Sequence, residues 1–316
     1  TAPGVAILAA GPNAAGEDPT WEFLSGTSMS SPHIAGLAVL YLGESPNATP
    51  ADSGNGSSAP ADADPATVTA LGAALAGDHR SADNKARDPY RHPEQTLLFF
   101  GLRQDMTVVE LWPGGGGWFT EVLAPVLRER GKLIVTNFDT SGPADSYQTK
   151  NGNKYKDKLA ANPAVYDKVE VVTFKDPKAL SLAPDGTVDM VLTFRNVHNW
   201  AAQGDEVVAA VFKSAHATLK PGGVFGVVDH RLPASRVQDA KASSGYVHQA
   251  YVVRLAEAAG FRLAAASEVN ANPKDTADHP GGVWALPPTY GNKDKDRARF
   301  EAIGESDRFT LKFVKP

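Results

Sequence analysis

The chain has 316 residues, 42% hydrophobic and 21% charged, the balance of a soluble globular protein with room for one large domain or two ordinary ones. Its formal net charge of −5 disfavours a nucleic-acid partner, because duplex-binding surfaces are usually basic. It lacks cysteine, which removes disulfides, thiolate metal sites and cysteine nucleophiles, and no apolar run reaches the length of a membrane span.

The chain opens at Thr1 without Met or a signal-like segment, which reads as a processed or fragment end. Ser25–Gly36, SGTSMSSPHIAG, resembles the active-serine segment of subtilisin-like serine proteases, and APGVAIL at 2–8 and WEFLSGTS at 21–28 fit the same family. That resemblance implies an endopeptidase with Ser28 as nucleophile. A serine hydroxyl needs a histidine base and an orienting carboxylate. In that family both lie far upstream, yet only 27 residues precede Ser28, none of them His, and His33 belongs to the motif itself. Residues 1–43 are also too few for a core of their own. They are expected to be an incomplete, non-autonomous subtilase-like fragment, and they hint at an exported (periplasmic or extracellular) protein. Residues 44–65, ESPNATPADSGNGSSAPADADP, contain no aromatic and no Val, Leu, Ile or Met, so 44–66 reads as a disordered linker.

Arg80, Arg87, Asp88, Arg91 and His92 form a charged segment ahead of Pro93, which suits the first position of a helix. The plain reading is an exposed helical face. The functional alternative is a lid that contacts an anionic substrate. Beyond it, strands are expected at Val108–Leu111, Leu133–Phe138, Val169–Phe174, Asp189–Phe194, Val224–Val228, Phe261–Val269 and Phe309–Val314. Helices are expected at Trp118–Arg130, kinked or broken by Pro125, at Glu206–Leu219 and at Tyr246–Ala259. Such alternation predicts an α/β fold: a mostly parallel sheet covered on both faces.

The stretch Thr107–Ala124, TVVELWPGGGGWFTEVLA, reads as strand, four-glycine turn, helix. Glycines at that turn let a ligand approach the backbone. The spacing fails the dinucleotide fingerprint G-x-G-x-x-G, and no Gly-Lys-Ser/Thr follows, so a P-loop fails too. With Glu110 before the turn, Asp139 after one strand, Asp176 after the next, Asp189 opening a D-x-V-L pattern and L-K-P-G-G at 219–223, residues 67–316 resemble the class I S-adenosylmethionine-dependent methyltransferases. RDPYRHPEQTLLFF, ELWPGGGGW, LTFRNVHNW, NANPKDT and ESDRFTLKFVKP resemble a group of bacterial predicted methyltransferases. The resemblance implies a Rossmann-like, doubly wound, seven-stranded sheet and S-adenosylmethionine as cofactor. It assigns the cofactor to Glu110, Trp112, Gly114, Gly115, Gly116, Asp139, Asp176, Arg195 and Asn196. Trp112 departs from the pattern, standing where the family has its first glycine.

A base is needed only when the methyl acceptor must lose a proton. Candidates belong on the loops at the carboxyl edge of the sheet, which singles out His198, His230 and Asp229. The alternative for either histidine is a structural hydrogen bond or a helix cap. No [DN]-P-P-[YFW] follows Phe194, and cytosine-carbon methylation needs a cysteine, so a small molecule, or else an exported polymer component, is expected as acceptor. A cofactor-fold binding module without catalysis is the alternative if Trp112 blocks the pocket. The eight histidines show no H-x-x-x-H spacing, and no metal is expected.

Overall fold

The computed structural model describes strands β1 (Ile7–Ala10) and β2 (Trp21–Leu24) and residues 62–316. β1 and β2 pair antiparallel, Ile7 facing Leu24, as a unit of their own. Ser28, His33 and linker residues 44–61 lie outside the described residues.

The remaining unit begins earlier than residue 67. Pro65 opens the helix Pro65–Ala76, and the Asp64 side chain caps it by accepting from the Thr67 backbone N–H at 3.0 Å. Seven strands follow: β3 (Thr107–Leu111), β4 (Lys132–Phe138), β5 (Glu170–Phe174), β6 (Val188–Phe194), β7 (Leu219–His230), β8 (Arg262–Ser267) and β9 (Arg308–Val314). They form one sheet in the order β5-β4-β3-β6-β7-β9-β8. The pairs from β5 to β7 are parallel, and β9 runs antiparallel to both β7 and β8. This is the Rossmann-like, doubly wound, mostly parallel sheet expected.

Two-residue periodicity sends alternate side chains to opposite faces. Val109, Leu111, Val191 and Phe225 join Val208, Phe212 and Val252 on one face; Val108, Met190 and Leu192 join Leu97, Phe100, Val122 and Leu123 on the other. The helices Asp205–Thr218 and Gln249–Ala258 therefore cover one face, and Pro93–Phe100 and Thr120–Leu127 the other. Gly226 lets Pro93–Phe100 approach: a Cβ there would meet Phe100 Cδ2 at 2.9 Å and Leu192 Cδ2 at 2.6 Å.

Three details differ from the sequence reading. Leu219–Gly223 does not separate helix from strand. Leu219 already pairs with Val188, and the register then shifts so that Met190 faces Val224. Pro125 sits inside Thr120–Leu127 and cannot donate to the Glu121 carbonyl, which instead accepts from His79 Nε2 at 2.7 Å. A helix at Tyr147–Ala161 was not anticipated, because its sequence is mostly polar and it fully buries only Thr149, Gly152 and Tyr155. No described helix is long and apolar enough to cross a membrane.

Candidate active site

From β3 the chain adds β4 and β5 outward, then returns to lay β6 on the other side of β3. The crevice outside the carboxyl ends of β3 and β6 is thus the switch point where open α/β sheets bind ligands. One wall is the glycine turn after β3, and the other is Arg195–His198 after β6. Asn196 stitches them together. Its Nδ2 donates to the carbonyls of Leu111 (2.9 Å) and Trp112 (3.2 Å) and to Thr193 Oγ1 (3.1 Å). The Asn196 amide N–H groups are therefore occupied by protein acceptors.

The glycines divide into two kinds. A Cβ on Gly114 or Gly116 would meet nothing within 4 Å, so their backbone faces open space. A Cβ on Gly115 would come within 2.7 Å of Asn151 Oδ1, and one on Gly117 within 2.6 Å of Tyr155 Cε2. Those two let the helix Tyr147–Ala161 pack against the turn. Trp112 adopts φ 45°, a left-handed conformation that strains a bulky side chain by about 1–2 kcal/mol. Aromatic contact offsets this, with ring centroids 4.8 Å from Phe138, 4.8 Å from Phe174 and 5.6 Å from Trp200.

Glu110 is buried behind the turn, where it accepts from Thr120 Oγ1 at 2.6 Å. Burial pushes its carboxyl up to about 7, against the pull of that hydrogen bond. Asp139 follows β4, half-buried; its Oδ1 accepts from the Ser141 N–H at 2.9 Å, which holds the carboxyl below its usual range. Asp176 is exposed and caps the short turn Pro177–Ala179.

The two histidines meet on the other wall. His198 is the second residue of the helix Val197–Ala201. Asp229 and His230 are the last two residues of β7, so they sit on the strand and not on the loop expected after it. Asp229 Oδ1 accepts from His198 Nδ1 at 2.8 Å and from the His230 N–H at 2.7 Å; its Oδ2 accepts from the His198 N–H at 3.1 Å. All three side chains are buried. An Nδ1–H donated to a carboxylate leaves Nε2 as the basic nitrogen. His230 Nδ1 is 2.5 Å from Ser306 Oγ. Burial pushes the His230 imidazole well below its usual range, and His198 and Arg195 add to that, so it stays neutral. The expectation of no metal rested on spacing along the chain. In space His198, Asp229 and His230 bring ligand atoms within 4.8 Å of one another. Asp229 already accepts from three donors, and the group as it stands is a hydrogen-bonded acid–base set.

Arg195 is half-buried at φ 62°, its N–H bonded to the Val228 carbonyl at 2.7 Å. Burial pushes its guanidinium down to about 10. The charged segment at 80–92 is not an exposed face. Arg80 and Arg91 are both buried, and their guanidinium carbons lie 5.1 Å and 4.7 Å from the Trp118 ring centroid. Sequence reasoning missed Arg91, Glu305, Ser306 and Arg308 as one group. Residues 87–91 and 305–308 lie over two hundred positions apart (214 between Arg91 and Glu305), and ion pairs to Glu305 join them.

No family model matches the chain. Its fold is similar to several solved structures. The 4+2 cyclase SpnF aligns at TM-score 0.50 and 16% identity, covering 79% of this chain and 93% of that one. A SAM-dependent methyltransferase from Aquifex aeolicus aligns at TM-score 0.47 and 18% identity, over 73% and 93% of the two chains. Geranyl diphosphate C-methyltransferase from Streptomyces coelicolor A3(2), solved with Mg2+, geranyl diphosphate and S-adenosyl-L-homocysteine, aligns at TM-score 0.48 and 15% identity, over 77% and 88%. At such identities the likeness is one of fold.

Proposed function

We propose that the domain following the linker is an S-adenosylmethionine-dependent methyltransferase acting on a small molecule. The observation that carries this reading is the His198–Asp229 pair, bonded at 2.8 Å across the crevice from an open glycine backbone. The residues present fit the cofactor. Gly114 and Gly116 leave room for it against the backbone, and the Asp139 carboxylate is within reach of solvent as a partner for hydroxyls. Trp112, Phe138 and Phe174 offer aromatic surface to a flat base. When bound, the cofactor supplies an electrophilic methyl group. The protein's part is to align the acceptor, exclude water and hold its proton. His198 Nε2 takes that proton, Asp229 fixes the tautomer and steadies the resulting imidazolium, and neutral His230 stands beside them with ring centroids 5.1 Å apart.

One observation favours a second reading, a ligand-binding module without methyl transfer. Trp112 replaces a glycine at the turn and takes a strained conformation to do so. The fold does not dictate methyl transfer, since a cyclase shares it. Calorimetric titration of S-adenosylmethionine and S-adenosylhomocysteine into the full chain separates the readings, with Asp139→Ala as control. Micromolar binding weakened at least tenfold by the substitution supports the methyltransferase. No binding of either compound overturns it.

A further inference from the structure

Glu305 is buried and serves three guanidinium groups at once: Arg87 Nε at 2.6 Å, Arg91 Nε at 3.1 Å and Arg308 Nη2 at 3.2 Å. Burial alone would push its carboxyl up, but the three cations outweigh that and hold it at about 2. Glu305 is therefore ionised, yet one carboxylate cannot neutralise three cations. Arg195 adds a fourth, and it forms no ion pair among the described residues. Asp229, the other carboxylate that acts on it, is committed to His198.

Hydrogen bonding shows the same surplus. Arg91 is 2% exposed, but neither its Nη1 nor its Nη2 has a partner, and Arg87 Nη2 is likewise buried without one. Leaving a buried donor unsatisfied is costly, and more so for a charged group. A surplus of buried positive charge is costlier still, unless an anion answers it. Backbone geometry sets this cluster beside the acid–base pair: the Arg195 N–H bonds the Val228 carbonyl, His230 faces Arg308 across β7 and β9, and Arg308 and Arg91 both meet Glu305. A cavity of about 180 Å³ adjoins the cluster and shares Glu305, Ser306 and Arg308 with it. Ser306 is the residue that holds His230.

We propose that Arg91 and Arg195 form an oxyanion subsite for the acceptor: the molecule that reaches His198 carries a carboxylate or phosphate group that these guanidinium groups bind. Planar guanidinium forks match both groups bidentately. Calling the ligand an acceptor rests on the methyltransferase reading. The anion subsite itself does not, and it is tested without cofactor.

The experiment follows thermal unfolding of the full chain against sodium phosphate, sodium malonate and sodium chloride at matched ionic strength. The expected result is a saturable rise in Tm with phosphate or malonate over chloride; the stronger of the two identifies the group. Arg195→Gln, which breaks no ion pair, and Arg91→Gln are each expected to raise the half-saturating concentration at least tenfold. No saturable rise, or an unchanged midpoint in a folded Arg195→Gln, overturns the subsite. S-adenosylmethionine has a carboxylate of its own, so it is titrated with and without saturating malonate. Independent binding supports assignment to the acceptor. Competition overturns that assignment, placing the cofactor's own carboxylate there.

Discussion

The two walls of the switch-point crevice are built from opposite materials. On the β3 side Trp112, Phe138 and Phe174 pack ring against ring, and Glu110, buried behind the turn against Thr120, has its carboxyl pushed towards neutrality. On the β6–β7 side His198, Asp229 and His230 are hydrogen-bonded to one another, and Ser306 ties His230 to the segment where Glu305 holds Arg87, Arg91 and Arg308. Apolar burial is non-directional and tolerates an odd residue such as Trp112. A buried polar network is directional, and each donor or acceptor left over has a large penalty. Shape on the first wall and hydrogen-bond geometry on the second should therefore respond differently to substitution.

The largest effect is expected from Asp229→Asn. The amide keeps the volume but loses the charge and no longer fixes the His198 tautomer. Once an acceptor is in hand, S-adenosylhomocysteine release should fall about 1,000-fold, roughly 4 kcal/mol of barrier. Cofactor affinity should change only a few-fold. The 15N shifts of His198 should move from an Nδ1-protonated pattern to a mixture. An unaltered tautomer together with unaltered turnover would remove Asp229 from the acid–base pair.

Trp112→Gly tests the aromatic wall. It restores the glycine of the family pattern and relieves the φ 45° strain, but it removes three ring contacts. Large-to-small changes of this kind cost about 3–5 kcal/mol, from which relief of strain returns about 1–2. A net loss of about 1–4 kcal/mol in denaturant unfolding is expected, with S-adenosylmethionine affinity unchanged or weaker. Tighter binding in Trp112→Gly would mean that the ring obstructs the pocket, and it would favour the binding-module reading.

How much of this contrast could be read from the chain follows from the range of the interactions involved. The glycine turn and its acids are local, so Glu110, Gly114 and Gly116 stood out within a dozen residues, and the seven strands were visible from their apolar runs. His198, Asp229 and His230 were chosen for their place at strand ends, and the fold does bring them together. Their hydrogen bonding is a product of β6 lying against β7, which no spacing encodes. The buried arginines were harder still. Arg91 in RDPYRH looks like surface charge until Glu305 and Trp118 reach it from elsewhere in the chain. Tyr147–Ala161 escaped because a helix that contributes only Thr149, Gly152 and Tyr155 to the core has almost no apolar stripe.

Glu110→Gln sharpens the contrast through pH. The Glu110 carboxyl goes from an ordinary 4.5 when unfolded to about 7 in the folded protein. Below pH 4.5 both states are protonated and its contribution is fully present. As pH rises towards 7 only the unfolded state ionises, and stability on the order of 3 kcal/mol is lost. The glutamine variant lacks this dependence, so its stability relative to wild type should climb across that window and level off above it. A constant difference between pH 4.5 and 7 would mean that Glu110 is ionised in place and that the β3 wall is less apolar than its packing implies.

The smallest effect is expected where a polar contact merely supports the aromatic side. Pro125 leaves the Glu121 carbonyl without its helical donor, and His79 Nε2 supplies one at 2.7 Å. His79→Ala should cost about 1 kcal/mol, the net worth of one hydrogen bond. Restoring the helical donor tests the cause: in Pro125→Ala the residue-125 N–H can bond Glu121, and His79→Ala should then cost less than half as much. This double-mutant cycle isolates a coupling that chain distance hides. If His79→Ala costs the same in both backgrounds, the histidine acts through packing, and the proline break is satisfied by solvent.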